Sequence, residues 1–151
     1  MNYIEYEIYR IKYLDSQQAY DDILTEKEEL FAKTQPKSVK FDQERVGGGI
    51  PESTFDSYLI EKERKKIDLR LAEAKTIMEE REELLQVKEQ ELRNSNEVID
   101  KLYCLKVLDR LKMARIARII NYSESHIYRL MGEIYRNIKK MRENENYHML
   151  H

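Results

Sequence analysis

Both prolines and three of the four glycines of this 151-residue chain fall between Lys33 and Ser53. Proline lacks the backbone donor a helix needs and crowds the preceding turn, and a glycine triplet loses more freedom in a helix than any other residues. No helix can therefore run through residues 33–53. The chain reads as two helical lengths joined by a loop. Gly47-Gly48-Gly49 is not a phosphate cradle, since no strand precedes it and no Gly-Lys-Ser/Thr follows.

Before the break, Met1 to about Ala32 is expected to be a helix, with Ile4, Ile8, Ile11, Ile23, Leu24, Leu30 and Phe31 along one apolar stripe. Tyr3, Tyr6, Tyr9, Tyr13 and Tyr20 run beside it. Glu5, Glu7, Asp15, Asp21 and Asp22 lie among them and repel phosphate. The rings are therefore expected to pack on a partner helix with their hydroxyls in water, and not to stack on a nucleic acid strand.

After the break, Thr54 to about Arg93 predicts one helix of about 60 Å at 1.5 Å per residue, capped by Ser53 or Thr54. Ile60, Ile67 and Ala74 form one column of a seven-residue repeat, and Leu71, Met78, Leu85 and Leu92 form the other. Arg81 and Lys88 continue the first column and weaken it, which suggests a short antiparallel pairing. The partner is either the first helix folded back or the same helix of a second subunit in a homodimer.

Asn94 and Glu97 have the spacing of a capping box that starts a new helix, with Val98, Leu102 and Leu105 inward. A corner at Leu108 to Leu111 then leads into two helices separated by Asn121-Tyr122-Ser123. Ile116, Ala117 and Ile120 share one face of the first. Ile127, Leu130, Ile134, Ile138 and Met141 form the stripe of the second. Asn121 tolerates left-handed backbone angles, and the Ser123 hydroxyl can cap the helix that follows. That combination is a helix-turn-helix. Residues from Arg142 onward lack periodicity and are expected to fray.

The fold class that results is all-α: an N-terminal antiparallel helical hairpin or coiled coil, then a small three-helix helix-turn-helix domain. The expected divisions are an arm over residues 1–93 with its loop at 33–53, the helix-turn-helix domain over 94–142, and a tail over 143–151. A domain of about 45 residues is marginal alone and needs the arm or dimerisation to hold it.

Charge is segregated along the chain. Lys101 to Arg142 holds eleven basic and three acidic residues, a net of +8, while the remainder carries −10 and the whole −2. A local basic patch releases counterions from a phosphate backbone, so the partner expected is double-stranded DNA. Glu124, Ser125, Tyr128 and Arg129 lie off the apolar stripe, at the end of the second helix that enters a major groove. Arg129 can pair with guanine, and Glu124 or Ser125 can reach other base edges. Lys112, Arg115, Arg118, Arg136, Lys139 and Lys140 are candidates for gripping phosphates, and Ser123 at the turn is a further DNA-binding candidate. His126 has no Cys or second His at ligand spacing, so it is taken as facing the groove or a phosphate, and no metal is expected.

Ile116-Ala117, Ile120-Asn121-Tyr122-Ser123, Ile127, Arg129 and Leu130 resemble the region-four domain of bacterial sigma factors. The pattern there reads roughly I-A-x-x-L-G-Y-S-x-x-x-V-x-R-[IL]. The resemblance implies that Glu124, Ser125, Tyr128 and Arg129 face bases. Asn121 replaces the usual Gly, and Tyr128 stands where primary sigma factors tend to be basic, so their promoter element is not implied. The order of the whole chain, with Glu44-Arg45-Val46-Gly47-Gly48-Gly49, is similar to small sigma-like regulators of late genes in phages of Gram-positive bacteria.

Several classes of function are disfavoured. Cys104 is the only cysteine and has no histidine at a telling position, and no pair of carboxylates sits where burial would tune it, so neither an enzyme nor a cofactor is expected. No apolar run approaches the roughly 18 residues of a membrane span, and no signal-peptide core is present. The expected compartment is the reducing cytoplasm of a bacterial host. The leading expectation is a sequence-specific DNA-binding transcription regulator. The alternatives are a terminase-small-subunit-like DNA-packaging protein, and a coiled-coil adaptor that binds host RNA polymerase without DNA.

Overall fold

The structure, a computed structural model, describes residues 2–34 and 52–150, with side chains described over 2–33 and 57–145. The Gly-rich stretch at 46–50 and both prolines lie outside the described residues. The elements are α1 (Asn2–Thr34), α2 (Glu52–Arg93), α3 (Val98–Tyr103), a π-helical turn (Cys104–Leu108), α4 (Met113–Ile120) and α5 (Glu124–Leu150). All are helical, and α1 and α2 form a long antiparallel hairpin ahead of three helices packed together. By compactness the chain forms two units, Met1–Leu14 with Glu80–His151, and Asp15–Glu79.

In the second unit the two long helices run against each other through the α2 columns read above. Ile67 is buried, and Ile60, Leu71, Ala74 and Met78 are half-buried. Lys27 Nζ lies 2.8 Å from Asp68, and Arg70 Nη1 donates to Glu26 at 2.7 Å. Both pairs are solvent-exposed, so each is worth about 0–1 kcal/mol; they fix register more than stability.

The first unit explains the charges in the weakened column. Arg81 donates to the Lys12 carbonyl at 2.7 Å and Lys88 to Glu5 at 2.7 Å. The first column thus continues between α1 and α2 as polar contacts while Leu85 and Leu92 of the second stay in the apolar cluster, and α1 is the partner that the pattern alone leaves open.

The core of this unit draws on every described helix. Ile116 of α4, Ile127 and Ile134 of α5, and Leu102 and Tyr103 of α3 have no exposed surface, and Tyr3 and Tyr6 of α1 with Leu92 of α2 complete the cluster. The support that so small a domain requires therefore comes from the first turns of α1 and the last of α2. Met131, at 2% exposure, belongs to the α5 stripe as much as Leu130, which is only half-buried.

Three local expectations are corrected. The Asn94/Glu97 capping box does not form: α3 begins at Val98 with Glu97 as its N-cap and no side-chain cap hydrogen bond. Ser95 occupies the space between, accepting from the Glu97 N–H at 3.3 Å and donating to Asp100 at 2.7 Å. Helix α2 starts at Glu52, before either expected cap residue, Ser53 or Thr54. Helix α5 continues to Leu150 past the point where the sequence loses its apolar period.

Tyr3 also departs from expectation, for its hydroxyl is not left to water. It accepts from Asn137 Nδ2 at 2.9 Å, and its ring stacks on Tyr103 with centroids 5.5 Å apart. Asp100, fully buried, accepts from the backbone N–H of Asn2 at 3.4 Å and of Tyr3 at 3.1 Å. These are orphan donors at the start of α1, so Asp100 caps that helix from 97 residues away in sequence. Asp100→Ala is expected to lower unfolding stability by about 1–3 kcal/mol, because Ser95 and two backbone donors lose their acceptor. Urea unfolding checks this, and an unchanged midpoint would remove Asp100 from that role.

Candidate nucleic-acid interface

Helix α4 ends as its sequence dictates. Asn121 adopts φ 63° and ψ 44°, the left-handed conformation, and the N–H of Tyr122 bonds the Ala117 carbonyl at 3.1 Å. One of the carbonyls that a helix end leaves unpaired is satisfied in this way. Three residues later α5 is under way. The N–H of His126 donates to the Ser123 hydroxyl at 3.3 Å, and that of Ile127 to the Ser123 carbonyl at 3.1 Å. Left-handed residue, cap and first helical bond fix the turn, while Ile116 and Ile127, both fully buried, hold the two helices together beneath it.

With Ile127, Met131 and Ile134 inward, the opposite face of α5 is set. Glu124, Ser125, Tyr128, Arg129, Gly132 and Arg136 are all exposed. Ser125, Tyr128 or Arg129, Gly132 and Arg136 follow one another at three- and four-residue steps, which puts them in one row. Arg136 folds back to donate to the Gly132 carbonyl at 3.3 Å. Lys112, Arg115 and Arg118 at α4, and Lys139 and Lys140 on α5, are exposed as well.

Two candidate residues have structural work besides. Ser123 is the cap, though exposed. His126 is half-buried, its ring set edge-on against Tyr122 with centroids 4.9 Å apart, so it braces the turn more than it reaches outward.

Gly132 is the odd residue in the row. A Cβ there would meet nothing within 4 Å. Packing within the chain does not require glycine, and a helical glycine costs about 0.5–1 kcal/mol relative to alanine. Gly132→Ala should therefore stabilise the isolated protein by about 0.5–1 kcal/mol, measured by thermal or chemical unfolding. A loss of stability would mean that the backbone at 132 needs glycine for another reason.

Behind this face lies a buried carboxylate that sequence inspection passes over. Glu7 of α1 is 1% exposed; its Oε1 accepts from the Tyr103 hydroxyl and from Arg10 Nη1, the latter at 3.3 Å. Arg142 Nη2 of α5 stands 3.6 Å from its Oε2. Burial, and then the hydrogen bond to Glu7, raise the Tyr103 pKa, so the phenol stays a donor. The centre formed by Glu7, Tyr103, Tyr3 and Asn137 ties α1, α3 and α5 into one body, fixing the helix that carries the exposed row.

Cys104, at the start of the π-helical turn, is buried, and burial pushes its thiol up to about 11. Reaction with a thiol reagent at pH 8 needs the thiolate. The folded protein should therefore label about a hundredfold more slowly than the unfolded chain. Equal rates in buffer and in denaturant would contradict that burial. Among the described residues no three His, Cys, Asp or Glu side chains come together in a group that could hold a metal, and no helix is long and apolar enough to cross a membrane. Set beside protein-family models, curated proteins and solved structures, the chain matches none.

Proposed function

We propose that the protein is a sequence-specific double-stranded DNA-binding transcription regulator, with the N-terminal turns of α5 as its recognition helix, and that it acts in the cytoplasm of a bacterial host. The observation that carries this reading is the junction itself: left-handed Asn121 and the Ser123 cap set α5 on α4 so that Glu124, Ser125, Tyr128 and Arg129 all stand exposed at one helix start. A carboxylate, a hydroxyl, a phenol and a guanidinium can between them address each kind of groove edge.

The charge distribution supports the same reading. Lys112, Arg115 and Arg118 precede the turn and Arg136, Lys139 and Lys140 follow along α5, so basic side chains flank the polar row in the order phosphate, base, phosphate. Gly132 adds a second support, since a bare backbone in mid-row admits close approach of a partner at a cost that internal packing does not explain. By its resemblance to sigma region four, the chain would act at promoters, with RNA polymerase of the host as a candidate second partner.

The test is selection from a random duplex library at near-physiological salt, followed by sequencing of the retained DNA. The expected result is one enriched motif, and a template carrying that motif upstream of a promoter should change its transcript level when the protein is added. Retention without a common motif, or no salt-sensitive retention at all, would overturn the reading.

A further inference from the structure

Helix α2 is unbroken from Glu52 to Arg93, and it has a second face with an order of its own. Leu59, Lys62, Lys66, Leu69, Glu73, Ile77, Glu80, Leu84 and Val87 follow at steps of three or four residues, and every one is exposed. At 3.6 residues per turn this row lies roughly 140° around the helix from the Ile67, Leu71 and Met78 row that meets α1. Single exposed apolar side chains are ordinary. Five in one row at coiled-coil spacing, among them Leu69 at 63% and Val87 at 53% exposure, form a seam with no partner in the chain as described.

The row has a centre of symmetry. Leu69 and Ile77 stand four residues on either side of Glu73, Lys66 and Glu80 seven, Lys62 and Leu84 eleven, and Leu59 and Val87 fourteen. An antiparallel twofold pairing about Glu73 brings each of these pairs together, apolar on apolar for Leu69/Ile77 and Leu59/Val87 and opposite charges for Lys66/Glu80. We propose that the face is where two copies of this chain meet, α2 packing antiparallel on the partner's α2 about a twofold axis at Glu73.

In that register Leu69 lies on the partner's Ile77 and Leu59 on the partner's Val87. Lys66 faces the partner's Glu80, and the stem of Lys62 covers the partner's Leu84. Each contact occurs twice. The alternative parallel register would set Lys62, Lys66, Glu73 and Glu80 each against its own copy, four like-charge contacts where the antiparallel register has one. That one, Glu73 against the partner's Glu73, is the weak point at the axis. This pairing uses neither the α1 seam nor the α5 row, so it stands whether or not the protein binds DNA.

Sedimentation equilibrium of the full chain over a range of concentrations reads the outcome directly. The expected mass is twice the 18.3 kDa of one chain. Glu73→Leu should tighten the dimer about tenfold and Lys66→Glu loosen it about tenfold, while Lys66→Glu with Glu80→Lys should restore it. In a Cys104→Ala background, a mixture of Leu69→Cys and Ile77→Cys chains should form a disulfide between unlike chains, while Leu69→Cys alone should not. Circular dichroism confirms that each variant remains helical. Wild type and Glu73→Leu both monomeric at the highest concentration would overturn the proposal, as would self-linking of Leu69→Cys chains.

Discussion

Tyr103→Ala is expected to lower unfolding stability by about 3–5 kcal/mol, the largest loss at any single position considered for this chain. The ring is fully buried, stacked on Tyr3 and edged by Tyr6 at 6.0 Å. Its hydroxyl is a donor to a carboxylate that has almost no contact with water. Truncation therefore opens a cavity and strips a buried charge of a partner, and both penalties apply at once. Tyr103→Phe separates them, since it keeps the ring and removes only the donor, and should cost about 1–3 kcal/mol. Urea denaturation followed by circular dichroism measures both. A loss under about 1 kcal/mol for the alanine variant would show that the surrounding helices collapse onto the space, and the central role given to Tyr103 would fall.

The second large effect concerns binding. If α5 reads bases, Arg129→Ala should cost about 1–3 kcal/mol on the selected site, or about 5- to 140-fold in affinity, and little on random duplex. Lys112→Ala should weaken both DNAs alike and reduce the salt slope by about 1, as a lost phosphate contact does. Titrations on matched duplexes at two salt concentrations distinguish the two behaviours. Equal losses on both DNAs for Arg129→Ala would end its base-reading role, even if the protein still bound DNA.

What the sequence discloses, and what it hides, follows from the range over which each feature is determined. Asn121 and Ser123 act on their own turn, so their conformations are legible from residue type and spacing. The stripes of α4 and α5 are local periodicities and equally legible, except that Met131 shares the burial assigned to Leu130. Asp100, Glu7 and Asn137 are a different case. Each partners a residue of another helix, and nothing in the neighbouring sequence distinguishes Asp100 from an ordinary acid in the first turn of a helix. The Asn94/Glu97 signal misleads for the same reason. Asp100 draws Ser95 toward itself and the start of α1, and the local box is lost to a longer-range cap. The second row on α2 lay within reach of simple counting; its two apolar rows overlap in sequence, and the one that meets α1 is the more continuous.

The bonds from Tyr3 to Asp100 and to Asn137 also set a timetable for synthesis. At about 5–20 residues per second, roughly 5 to 30 s separate the emergence of α1 from that of the residues that cap and cover it. Through that interval Tyr3, Tyr6 and the acid Glu7 have no native neighbours but those on α1 itself, such as Arg10, and on α2. The last helix made is thus the one that completes the first, and a chain that stops short of Asn137 should expose its amino-terminal tyrosines to proteases and chaperones.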